Sequence, residues 1–192
     1  MLYGDAVLHT ATFALKPIYD LTGVDIAALL LRVILGITMI AHGYNHIWGG
    51  GKIHGTAGWF ASMGLKPGKL HAWLASITEL GAGVMLIIGL LNPLAAAGVV
   101  GVMTVALITN HFKNGFFIFR PGEGYEYVLN LMVAALALGA LGPGAWSADK
   151  YLKIHLNGVT GIAITAVAGI GGALLLLAIF WRPAPKASDS AA

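Results

Sequence analysis

Five nearly uncharged apolar runs organise this chain, near residues 26–47, 70–91, 93–112, 124–141 and 158–181. A helix of about 20 mostly apolar residues crosses the ~30 Å hydrocarbon layer of a bilayer, so each run has the length of a membrane span or close to it. With only 10% charged residues the chain could not cover a water-facing surface, and its mean hydropathy of +0.82 agrees. The expected fold is therefore all-α: a four-helix transmembrane bundle with an additional C-terminal transmembrane helix. Asn92 and Pro93 alone separate the second and third runs, and proline is tolerated in a helix's first turn, so a tight antiparallel hairpin is expected there.

The segments around the spans divide the chain into four parts. Residues 1–25 form an N-terminal segment in which Val7, Ala11, Ala14 and Ile18 make one helical stripe, suited to the membrane interface. With Asp5, His9 and Lys16 so early, that segment is not expected to be a cleavable signal peptide. Residues 26–152 make the four-helix core, 153–182 the fifth span and 183–192 a flexible tail. The run GWFASMGL at 58–65 suits another interfacial helix, and the tryptophans and GFFIF suit interface belts.

Basic residues are retained preferentially on the cytoplasmic side. An outside N-terminus and cytoplasmic C-terminus put Lys52, Lys66, Lys69, Lys113, Arg120, Arg182 and Lys186 inside, against Lys16, Lys150 and Lys153 outside. These charges are scattered singly rather than grouped in a patch, which argues against nucleic acid as a partner despite the net charge of +3. The lipid bilayer is the expected partner. Small residues four apart (Ala72 and Ser76, Ala97 and Gly101, Thr165 and Gly169, Ala168 and Gly172) allow close helix packing, the last pair equally against a second copy of the chain. With no cysteine, thiol chemistry would fall to a partner or a cofactor.

Ionisable groups in a span are expensive and ask for a reason. Arg32, His42 and His46 fall within an arc of about 80° on the first span, at ~100° per residue. Glu79 lies on a small-residue face of the second span, His111 ends the third, and Glu126 aligns with Asn130 on the fourth with Glu123 nearby. Depth counting places Arg32 and Glu79 at similar levels and predicts a salt bridge between them. The plain reading of that pair is a register-fixing contact, and of His42 and His46, span-end residues bonded to carbonyls or headgroups. The functional alternative joins them with His111 and a carboxylate from Glu79 or Glu126 to bind a metal, hold a haem or relay protons to a quinone. His71, His54, His9 and His155 read as span-end or loop residues.

Five pieces carry a resemblance: LLLRVILGITMIAHGYNHIWGGGKI, GWFASMGLKP, LASITELGAGVMLIIGLLNPLAAAG, NHFKNGFF and GYEYVLNLMVAALALGALGPGAWSADKYL. In this order they resemble the DoxX family of small bacterial membrane proteins over about residues 26–152. The matching polar and glycine positions are Arg32, His42, Gly43, Lys52, Glu79, Gly83, Gly89, His111, Gly115, Glu126, Gly142, Gly144, Ser147 and Asp149. The resemblance implies a four-helix core in the prokaryotic plasma membrane and a link to quinone-coupled thiosulfate oxidation or to complexes of oxidative-stress enzymes. The fifth span and Lys/Pro tail depart from the family pattern.

Three functions are then open. The first is the membrane subunit of a quinone-linked oxidoreductase complex, with Glu79, His111 and Glu126 as proton-handling residues, His42, His46, Arg32 and Asn130 as cofactor contacts, and electrons from other subunits. The second is a non-catalytic anchor or scaffold recruiting soluble redox enzymes, favoured by the lack of nucleotide, flavin or haem-attachment motifs. The third is a small-solute transporter, disfavoured by the lack of paired broken helices and repeated halves.

Overall fold

The computed structural model describes residues 21–183. The N-terminal stripe and most of the tail lie outside them. Among the described residues the chain is helical, with one isolated bridge, Leu65 to Trp181, in place of any strand. Its helices are α1 (Leu21–Trp48), α2 (Lys52–Ser62), α3 (Gly68–Ile88), α4 (Asn92–Asn114), α5 (Glu126–Leu141), α6 (Ala148–Tyr151) and α7 (Gly158–Phe180). Helices α1, α3, α4 and α7 are long and apolar enough to cross a membrane. Helix α5, 16 residues or about 24 Å at 1.5 Å per residue, is the short member of the bundle. Large apolar side chains such as Leu30, Ile37, Ile77 and Leu175 face outward, as they should where the solvent is lipid.

The packing is set by glycines that let backbones touch. A Cβ on Gly83 would lie 2.7 Å from the Gly36 carbonyl oxygen, and one on Gly36 would lie 2.7 Å from the Gly83 carbonyl oxygen. Helices α1 and α3 therefore cross at bare backbone, where dispersion contacts hold helices together in lipid. Gly101 and Gly169 make a similar approach between α4 and α7, and Gly139 meets Gly161 and Thr165 between α5 and α7. Much of the small-residue pattern is thus spent inside the chain. Gly83→Leu should force α1 and α3 apart and cost about 1–3 kcal/mol, read as a lower thermal midpoint in mild detergent. An unchanged midpoint would refute this crossing.

The central core gathers Leu35, Met39, Leu86, Val99, Met103 and Leu138 from α1, α3, α4 and α5. A second cluster of Phe60, Leu65 and Leu177 ties α2 and the turn before α3 to the end of α7. The interfacial helix predicted at 58–65 begins earlier, at Lys52, because it packs along α3 and buries Phe60.

In the α3–α4 hairpin α3 is capped locally by backbone, whereas α4 has no side-chain cap from its own segment. Helix α3 stops at Gly89 (φ 69°), in the left-handed conformation that glycine adopts without steric cost, and Leu91 follows at φ 46°. The free amides of Leu91 and Asn92 at the start of α4 are taken instead by the carboxylate of Asp149, at 2.7 and 2.9 Å. Asp149 in turn donates its own amide to the Gly89 carbonyl, at 2.9 Å.

The predicted Arg32–Glu79 ion pair does not form. Arg32 is fully buried and donates from Nη1 to the Leu86 and Ile87 carbonyls, both at 3.2 Å, and from Nη2 to the Trp146 carbonyl at 2.6 Å. The carboxylate whose charge acts on it is Asp149, at longer range than an ion pair. The cause is register: Gly43 lies against Glu79 and Gly36 against Gly83, so Arg32 comes level with Gly89. Eleven residues along α1 separate it from the level of Glu79, about 16 Å at ~1.5 Å per residue.

Candidate functional site

A cavity of about 510 Å³, which Arg32 does not line, lies among α1, α2, α3, α4, α5 and α7 and runs along α4 from Leu94 to His111. It exists because its walls are poor in side-chain volume: Ala97, Gly98 and Gly101 on α4, and Ala168 and Gly172 on α7. Two π turns, Leu107–His111 in α4 and Val167–Gly171 in α7, border it. Such turns insert one extra residue and re-aim the side chains beside them, and they are frequent at functional sites.

Glu79 projects from the small face of α3, 2% exposed, and meets His46 from α1. His46 Nδ1 lies 2.9 Å from Glu79 Oε2, close enough for an ion pair but not aligned as a hydrogen bond. Neither atom has a hydrogen-bond partner. The His46 ring is held edge-on against Phe60, centroids 5.8 Å apart, so α2 fixes its orientation. An imidazole and a carboxyl group in apolar surroundings can share one proton and present it, or accept one, at a ligand oxygen. Their unspent hydrogen-bonding capacity is costly in an apolar site and invites a polar partner.

His42, one turn before His46, stacks on Tyr127 of α5 at 6.3 Å and also lines the cavity. His111 reaches the cavity but is committed to its neighbours. The Glu123 carbonyl, 2.9 Å from Nδ1, can only accept, so Nδ1 carries the proton and Nε2 accepts from Asn110 Nδ2 at 3.4 Å. Glu126 and Asn130 are not brought to the cavity. Glu126 Oε2 accepts from the Ile118 amide, holding the loop before α5, and Asn130 donates to the Glu126 carbonyl. Arg32 does not line the cavity either. Of the seven expected site residues, the cavity collects His42, His46, Glu79 and His111. Among the described residues no three His, Asp or Glu side chains converge to hold a metal ion.

His71 lies at a span end, as expected, in the first turn of α3, and there it is buried in the cavity wall with Nε2 unpartnered. It stands edge-on to Phe180 of α7, centroids 5.1 Å apart. The signal was in the spacing: His71, Ala75 and Glu79 fall four residues apart on one stripe of α3. Below it the end of α7 is clamped to the turn before α3. Trp181 Nε1 donates to the Met63 carbonyl at 2.9 Å, and the Lys66 and Arg182 amides donate to Phe180 and Gly64 carbonyls. Four of the family-pattern positions, Arg32, Gly89, Ser147 and Asp149, meet at the far end of the bundle. A Cβ on Gly89 would strike both Arg32 and Ser147.

The family model described as DoxX matches residues 27–112. A Bacillus subtilis (strain 168) protein described as "Putative oxidoreductase CatD" is 34% identical over 116 residues, covering 59% of this chain and 79% of that one. No solved structure matches.

Proposed function

The chain belongs to the DoxX family, and from that membership and the cavity we propose that it is the quinone-binding membrane subunit of an oxidoreductase complex. The observation that carries the reading is the His46–Glu79 pair, buried without a hydrogen-bond partner at the wall of a largely apolar cavity. Reduction of a quinone to its quinol takes up two electrons and two protons. The electrons come from another subunit of the complex; the His46–Glu79 pair delivers one proton to the quinone oxygen beside it, and the second oxygen takes its proton from another histidine of the cavity wall. His42 and His71 border the same cavity, while His111 holds the loop that closes it. The name of the Bacillus relative supports a redox role and nothing finer.

The membrane is the bacterial plasma membrane, with the Trp181 end at the cytoplasmic face. Lys52, Lys66, Lys69, Lys113, Arg120 and Arg182 belong to segments at that end, whereas Lys150 and Lys153 follow the Arg32 end.

The test is quinone titration of the purified chain in mild detergent, read by quenching of tryptophan fluorescence, since Trp59 lines the cavity. His46→Ala should weaken quinone binding by roughly tenfold or more, the value of one hydrogen bond to a charged group. A wild-type protein that binds no quinone would sink the reading, as would a His46→Ala protein that binds like wild type.

A further inference from the structure

We infer that the gap between α3 and α7 is a lateral window through which a quinone from the lipid phase reaches the His46–Glu79 pair, its prenyl tail lying across α4. The inference rests on the quinone reading above and adds where the tail goes.

Helices α3 and α7 both pack on α4 but scarcely on each other. They meet only near the Trp181 end, where Phe180 abuts His71. Further along, the lining residues Leu74 of α3 and Ala168 and Gly172 of α7 are all exposed, so the cavity reaches the surface between them. The floor of this opening is Gly98 and Gly101 of α4. Small residues alone would mean only close packing. Here Gly172 packs on nothing, since a Cβ there would meet no atom within 4 Å. The same cavity also holds the buried, unpartnered Glu79 Oε2 and His46 Nδ1, polar atoms that ask for a ligand.

Volume decides the occupant. Sites of roughly 300–1,000 Å³ enclose drug-sized ligands, so about 510 Å³ takes a substituted quinone ring and only the first part of a polyprenyl chain. The remainder has to leave sideways, and on this face the surroundings are lipid. A tail gains little in moving from lipid to an apolar groove. The window therefore adds little affinity of its own, but the bound tail has to lie in it, so filling it excludes tailed ligands alone. The fifth span, beyond the residues matched by the family model, supplies one jamb of the window. That assigns the C-terminal helix a role in substrate selection.

The experiment titrates full-length protein in detergent with two probes: a methoxy- and methyl-substituted benzoquinone without a tail, and the same ring with a long polyprenyl tail. Gly172→Phe has room to fold and should weaken binding of the tailed probe by at least roughly tenfold, as expected when an overfilled site must reject its ligand. Its affinity for the tailless probe should not change. Leu175→Phe, on the same helix but off the cavity, should leave both affinities unchanged. Equal binding of the tailed probe by wild type and Gly172→Phe would overturn the window and leave the quinone reading standing. A parallel loss of both probes in Gly172→Phe would also overturn it, because the ring site itself would then be disturbed. Binding of neither probe by wild type would overturn both the window and the quinone reading.

Discussion

Replacing Asp149 by Ala is expected to destabilise the bundle by about 2–5 kcal/mol, the cost of leaving two largely buried amides without an acceptor. Asp149 is 1% exposed and does two things at once. Its oxygens take the Leu91 and Asn92 amides that begin α4, and its charge acts on Arg32, which is buried with Nε unpartnered. Alanine would leave the two amides without an acceptor and remove a compensating negative charge from the buried guanidinium, which keeps its three carbonyl acceptors. Asp149→Asn should cost less, since an amide oxygen can still accept from one of the two amides. Thermal unfolding in detergent and the folded fraction on size exclusion would measure both. Wild-type stability in Asp149→Ala would show that the cradle around Arg32 is ornamental. Because this end of α1 lies about 16 Å from the level of Glu79 at ~1.5 Å per residue, the folded fraction of either variant should still bind quinone normally.

The contrast between this cradle and the cavity shows which parts of the molecule are legible from residues alone. The spans were legible because hydropathy over twenty residues reports burial in lipid directly. The run expected at 70–91 is α3 at Gly68–Ile88, and that expected at 158–181 is α7 at Gly158–Phe180. Contacts between spans were not legible to the same degree. Counting depth from span ends paired Arg32 with Glu79, but relative register is fixed by where two backbones can touch, here Gly36 on Gly83. A shift of that contact by one turn changes every partner along both helices. Asp149 escaped assignment for a different reason: it caps a helix that begins 57 residues earlier in the chain, and no local pattern marks such a cap. The pairing of His46 with Glu79, the exposure of His71 to the cavity and the clamp of Trp181 on Met63 are likewise products of tertiary packing. What the sequence did carry was the stripe of small residues around Glu79, which marks the face of α3 turned inward.

Correcting the partner of Glu79 changes what its replacement should do. Were it the counter-ion of Arg32, Glu79→Gln would strand a guanidinium and unfold the protein. Its neighbour is His46, which can shed its charge as a neutral imidazole, so glutamine of the same shape leaves no stranded cation. Glu79→Gln should therefore change stability by less than about 1 kcal/mol, within the range of a well-tolerated polar replacement. On the proposed quinone function, the effect on turnover should be large. Glutamine can hold the quinone oxygen by a hydrogen bond but cannot carry a proton to it, and positioned acid–base groups contribute roughly 10²–10⁴-fold. In membranes of the native host, with the variant as the sole copy, quinol formation through the complex should fall by that factor while quinone affinity shifts little. The three measurements separate the possible roles. Collapse of the fold would make Glu79 structural, and loss of affinity with unchanged turnover of bound quinone would make it a binding group. Full stability, binding and turnover together would remove the His46–Glu79 pair from the mechanism altogether.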